Sequence, residues 1–129
     1  GDSIMTYPSE LKYTSEHVWV KVEGDTVKLG ITEFAQDQLG DILFVDLPEV
    51  GATFSAGDVF TEIESSKTAS EVPIPVSGEV VAVNEELDDS PENINEDAYA
   101  AWIVEVKMND ESELDELLSA SAYEGGLDA

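Results

Sequence analysis

The residues best suited to chemistry form a small polar octapeptide, Glu64-Ser65-Ser66-Lys67-Thr68-Ala69-Ser70-Glu71, around one of only five basic side chains in the chain. Two strand-like runs flank it, at 59–63 and 72–76. That arrangement places Lys67 at the tip of a hairpin, where its amine is open to a modifying enzyme and nothing nearby can bury it. Ser65, Ser66, Ala69 and Ser70 are small enough for a ligase to clamp the turn. Glu64, Thr68 and Glu71 complete the stretch such an enzyme would meet, and stiff flanking strands let it recognise shape instead of a long sequence. Amidation removes the lysine charge, so an attached arm could lie against the protein without desolvating an ammonium. A hairpin lysine on its own is ordinarily just a solvated lysine. The expectation here is that Lys67 carries a covalent prosthetic arm.

Composition narrows the alternatives. The 129 residues suffice for one domain with a core and are too few for two; 42% are hydrophobic. Gly1 to Ile4, ahead of Met5, read as an expression scar, and residues 5–129 as a single domain. No apolar run approaches the ~20 residues that cross a bilayer, and no charged-then-apolar leader is evident; a cytoplasmic protein is expected. The chain has no cysteine, which excludes disulfides and thiol catalysis, so any sulfur chemistry must be imported by a cofactor. Thirty Asp and Glu against five Lys give a formal charge of −25. Such a surface repels nucleic acid and anionic membranes and could dock on basic partners. The acids are spread along the whole chain, which favours general solubility or adaptation to high salt over one docking face. No Ser-His-Asp set, metal cluster or phosphate-binding Gly loop is present, so independent catalysis is not expected. The run Glu85-Glu86-Leu87-Asp88-Asp89 reads as a solvated loop because it lacks the glycine-spaced pattern of a calcium site.

These residues must be positioned by β structure. After a polar lead-in, residues 18–22 alternate as a strand, Glu23-Gly24-Asp25 turns the chain, and 27–31 return. Thr32 is placed to cap a short helix running to Gln38, with Gly40 as its stop. Residues 42–47 read as a strand ended by Pro48. Short strands follow, punctuated by Gly51, Gly57-Asp58 and Ser77-Gly78. Pro73 and Pro75 cannot donate ladder hydrogen bonds, which makes their strand an edge or leaves one of its sides unpaired. Residues 84–97 read as a long acidic surface loop and 102–106 as a last strand. Asp110 and Glu113 suggest a capping box for a C-terminal helix whose apolar face is Leu114, Leu117 and Leu118, with fraying near Gly125-Gly126. Trp19 and Trp102 are assigned to the core. The fold class is mostly β, a small sandwich or barrel with a short helix after the first hairpin and a helix at the C-terminus.

The lysine stretch, its proline-containing strand and the turn Val76-Ser77-Gly78-Glu79-Val80 together resemble the lipoylation region of the glycine cleavage H-protein family. The similarity runs through nearly the whole chain: Leu11-Lys12-Tyr13-Thr14-Ser15-Glu16-His17-Val18-Trp19-Val20, Gly30-Ile31-Thr32, Ala35-Gln36-Asp37-Gln38-Leu39-Gly40-Asp41, Val45-Asp46-Leu47-Pro48, Asn93-Ile94-Asn95 and the Trp102 strand. The resemblance implies a lipoyl/biotinyl-type barrel-sandwich hybrid, lipoic acid on Lys67, and a carrier in place of an enzyme. It implies four partners: a pyridoxal-phosphate glycine decarboxylase, a folate-dependent aminomethyltransferase, dihydrolipoyl dehydrogenase, and a lipoate ligase or lipoyl/octanoyl transferase. The carrier would take the aminomethyl remainder of glycine from the first to the second, and bring the resulting dithiol to the third. A monomer is expected.

The resemblance further implies a surface cleft sheltering the loaded arm from water, lined by Glu16, His17, Val18, Ile31, Gln38 and Leu39, with Glu71 beyond the lysine. An acid there would hold a protonated amine by a charge-assisted hydrogen bond. Three positions depart from the family: Val18 stands where an acid is common, Gln38 where histidine is common, and Ala101 where glycine precedes the later Trp. His17, the single histidine, reads as a surface or structural residue before a cleft contact. The alternative function is an H-like relay or store of lipoyl groups for other systems. A biotin carrier is disfavoured because Ser66 and Thr68, not methionines, flank the lysine.

Overall fold

The computed structural model describes residues 7–127, so the stretch read as an expression scar lies outside the described residues. Two antiparallel sheets enclose one core. The larger holds β1 (Lys12–Tyr13), β2 (Val18–Glu23), β3 (Thr26–Ile31), β9 (Val104–Met108), β8 (Gly78–Val83) and β5 (Thr53–Phe54), in that spatial order. The smaller is β4 (Ile42–Asp46), β6 (Val59–Ser65) and β7 (Ala69–Pro73), with β6 central. This is a mostly β barrel-sandwich, and it leaves the proline strand β7 on an edge.

Alternation in β2 and β3 sends Val18, Val20, Val27, Leu29 and Ile31 into the core, where they meet Val45, Ile63, Val72, Ile103, Val104 and Val106. Burying each such side chain contributes roughly 1.5–3 kcal/mol. A second cluster gathers Leu11, Tyr13, Trp19 and Tyr123 on the other face of β1 and β2. Helix α1 (Glu33–Leu39) follows β3 directly. The Thr32 hydroxyl accepts the Ala35 N–H, and the Gly40 N–H closes the last turn onto Gln36 O.

Several local expectations are corrected. The lead-in is not merely polar: Leu11 and Tyr13 are buried and β1 pairs with β2. Residues 84–97 are not a bare loop. They form two single-turn helices, α2 (Glu86–Asp89) and α3 (Asn93–Glu96), which carry Leu87 and Ile94 wholly into the core; the surrounding acids mask two apolar anchors seven positions apart. The capping box does not form. Asp110 accepts the Ser112 N–H at the start of a 3₁₀ helix (Glu111–Glu116), while the Glu113 carboxylate turns away to the Ser77 N–H and hydroxyl. Leu114 and Leu117 pack on the main core, but Leu118 joins the aromatic cluster. The C-terminal helix is instead α4 (Ala120–Leu127), and it includes Gly125 and Gly126. Trp19 is buried, whereas Trp102 is half-buried with the Lys28 ammonium 5.3 Å above its ring.

Candidate functional site

Lys67 is the middle residue of the three that join β6 to β7, with Glu64 opposite Ala69 as the last pair before the tip. One side chain shapes this turn. The Ser65 hydroxyl accepts the N–H groups of Lys67 and Thr68, each at 3.2 Å, and donates to Thr68 O at 3.0 Å. The Ser65 N–H reaches Thr68 O at 2.8 Å, and the Ser66 N–H donates to Asp41 O at 2.9 Å. The tip is thus tacked to the corner between α1 and β4. Lys67 is exposed, and among the described residues its amine enters no ion pair.

That corner is a platform for the lysine. Gly40 has φ 81° and ψ −150°, a region open essentially to glycine alone. A Cβ there would sit 3.3 Å from Lys67 Cε and 3.5 Å from its Cδ, so the lysine stem lies close over this backbone and an added methyl group would crowd it. Asn95 of α3 fixes the platform from below. Its Nδ2 donates to Gly40 O and to Gln36 Oε1, both at 2.9 Å, and its Oδ1 accepts the Ile42 N–H at 2.8 Å.

Beside the platform opens a cleft of about 330 Å³, between α1, the corner before β2, and β7. Its apolar lining is Ile31, Phe34, Ala35, Leu39, Val72 and Pro73, and its polar lining is Glu16, His17, Gln38, Ser70 and Glu71. Leu39 immediately precedes Gly40 and Ser70 lies three residues past Lys67, so the cleft starts where the lysine platform ends. A flexible apolar chain with a polar end, attached to Lys67, fits such a lining chemically. Of the residues expected there, Glu16, His17, Ile31, Gln38, Leu39 and Glu71 share this cleft. Val18 does not: it is fully buried, on the core side of β2.

His17 closes one end. Its backbone is left-handed at φ 68°, its ring packs against Phe34 at 4.8 Å between centroids, and its Nδ1 meets the Tyr123 hydroxyl at 2.7 Å. The same hydroxyl lies 2.7 Å from Thr32 Oγ1. Burial lowers the His17 pKa below its usual 6.5, opposed in part by the Glu16 carboxylate. Burial likewise raises that of Tyr123.

Sequence reasoning missed Phe34, Ala35, Gly40's contact, Asn95 and Tyr123. Phe34 and Ala35 were open to it, since they sit four residues before Gln38 and Leu39 on one helix face. Tyr123 was not, because its partners lie 91 and 106 residues away.

Over residues 11–128 the chain matches the family model described as glycine cleavage H-protein. It is 61% identical over 120 residues to the glycine cleavage system H protein of Staphylococcus haemolyticus, covering 92% of this chain and 95% of that one. The identity with the Staphylococcus carnosus protein of the same name is 60% over 120 residues, with the same coverage. Among solved structures, the crystal structure of a glycine cleavage system H protein from Mycobacterium marinum is similar at a TM-score of 0.87 and 41% identity, over 95% of this chain and 100% of that one.

Proposed function

The chain belongs to the glycine cleavage H-protein family, and from that premise we propose that its lipoyl group is held as an amide on Nζ of Lys67. It is a carrier component of the glycine cleavage system and not itself a catalyst. The observation that carries the site assignment is the exposed Lys67 at a three-residue tip, its stem over Gly40 and the cleft directly alongside.

A lipoyl group supplies a dithiolane that takes up and releases a cargo at sulfur and cycles between disulfide and dithiol, which a chain without cysteine cannot do alone. The protein's own residues do the rest. The Ser65 hydroxyl and the Asp41 carbonyl fix the tip for a lipoate ligase or a lipoyl/octanoyl transferase. The octapeptide from Glu64 to Glu71 is the surface that enzyme reads. Ile31, Phe34, Ala35 and Leu39 exclude water from an arm lying in the cleft. Glu16 and Glu71 supply the negative charge that holds a protonated amine there.

The partners are glycine decarboxylase, the aminomethyltransferase and dihydrolipoyl dehydrogenase, met by a single cytoplasmic carrier domain spanning residues 5–129 and acting as a monomer. No helix among the described residues is long and apolar enough to cross a membrane.

Intact mass after co-expression with a lipoate ligase tests the site. One lipoyl increment is expected, and Lys67→Ala removes it while leaving stability within about 0.5 kcal/mol, as for other exposed positions. A wild-type mass that never changes overturns the assignment. Exchange of labelled bicarbonate into glycine with the decarboxylase then tests the role, and no exchange from the lipoylated chain favours a relay function instead.

A further inference from the structure

The contact between His17 and Tyr123 says more than that two residues touch, because the protons along it can be counted. Thr32 is wholly buried. Among the described residues its hydroxyl oxygen has two partners: it accepts the Ala35 N–H at 3.2 Å, and it lies 2.7 Å from the Tyr123 hydroxyl. The Thr32 proton therefore has one acceptor, the Tyr123 oxygen. A buried hydroxyl proton left without an acceptor costs about 1–3 kcal/mol. With Thr32 donating to it, Tyr123 sends its own proton onward to His17 Nδ1, 2.7 Å away. Nδ1 is then an acceptor, and a neutral imidazole in that state carries its proton on Nε2. Among the described residues Nε2 has no protein partner, and His17 lines the cleft.

We infer that Tyr123 of α4 is a positioning residue that holds His17 neutral with its proton on Nε2, so that the cleft offers the lipoyl arm one fixed hydrogen-bond donor. This rests on the reading that the arm lies in the cleft. Protonating His17 would put a second proton on Nδ1, reverse the chain and strand the Thr32 proton. Desolvation of the ring acts in the same direction and the Glu16 carboxylate acts against it, Glu71 being the other acid that lines the cleft. The backbone is committed to this arrangement too. His17 sits at φ 68°, which costs a side-chain-bearing residue about 1–2 kcal/mol. It is held there by its N–H on Thr14 O at 3.1 Å and by its carbonyl, which accepts the Thr32 N–H at 3.0 Å. A neutral donor divides the labour of the cleft: Nε2–H receives an acceptor atom of the arm, and a cationic amine is left to Glu16 and Glu71.

His17 is the only histidine, so long-range ¹⁵N correlation spectra of the full chain report on it without assignment ambiguity. At neutral pH, wild type is expected to show the tautomer protonated at Nε2. Tyr123→Phe and Thr32→Val are expected to lose that preference, and Thr32→Ser to retain it. Lipoylation is expected to shift the Nε2 signal. A His17 protonated at Nδ1 or averaged between tautomers in wild type, or a preference unchanged in Tyr123→Phe, overturns the role of Tyr123 whatever the arm does. A preference that depends on Tyr123, with an Nε2 signal identical before and after lipoylation, instead overturns the cleft reading and the contact with the arm.

Discussion

Lys67 reaches solvent across a glycine, and that pairing sets the sharpest expectation at the level of single residues. Gly40→Ala meets two obstacles: a backbone region that side-chain-bearing residues avoid, and a lysine stem 3.3 Å from the added methyl group. The first costs about 1–3 kcal/mol, read as a lower urea midpoint. The second displaces a flexible stem, so lipoylation by a ligase is expected to slow well before the fold is lost. Full-rate modification of a destabilised Gly40→Ala would separate the platform from the chemistry. His17 carries a pH signature. Its folded pKa lies below the unfolded value of about 6.5, so as pH falls the unfolded chain takes up that proton first. The stability contributed by neutral His17 is complete above pH ~6.5 and declines as pH drops through the folded pKa. His17→Gln, which cannot titrate, is expected to flatten this limb relative to wild type in urea titrations between about pH 5 and 7.5. Parallel curves for the two proteins would assign the acid limb to the carboxylates alone.

At the level of elements, the segments that read correctly are those specified locally. Glu23-Gly24-Asp25 between two alternating runs forms its hairpin, Thr32 and Gly40 bound their helix, and small residues around Lys67 give the exposed tip. The failures share a cause, which is that distant partners outbid local preference. Glu113 could have closed a box on Asp110, yet Ser77, 36 residues away, offers both an N–H and a hydroxyl. Residues 84–97 look like solvent-facing chain because single-turn helices are too short to display a period; Leu87 and Ile94 are their only conspicuous anchors. The segment nevertheless supports the site, since Asn95 binds the corner on which Lys67 rests. Asn95→Ala leaves the Ile42 N–H and Gly40 O without this partner, and a cost of about 1–3 kcal/mol is expected. Hydrogen exchange locates the damage: the Ile42 and Ser66 amides should lose protection before the strands of the large sheet do. Uniform loss across both sheets would mean that α3 staples the whole fold and not the lysine platform.

For the whole molecule, the decisive quantity is where the few cations lie. Lys12, Lys21, Lys28 and Lys107 all sit on strands of the large sheet, where Lys21 and Lys28 pair with Glu23 at 3.6 and 3.8 Å. Lys28 stands in register with Glu105, and Lys107 with Glu79. The small sheet has no such relief. Asp46, Glu62 and Glu71 are directly opposed across β4, β6 and β7, and Lys67, the one cation nearby, loses its charge once it is amidated. Directly opposed like charges on a sheet face cost roughly 0.2–1 kcal/mol per pair. Glu62→Gln, which relieves two pairs, is therefore expected to raise the melting midpoint at low salt, with the gain fading as salt screens the neighbours. At a net charge of −25 the same screening acts on the entire surface, so wild-type stability is expected to climb from low to molar salt. Association with basic partner surfaces depends on the unscreened field and should weaken over the same range. The two curves thus run in opposite directions. Stability that stays flat while partner binding weakens would assign the acidity to docking; stability that climbs while binding holds would assign it to life in salt.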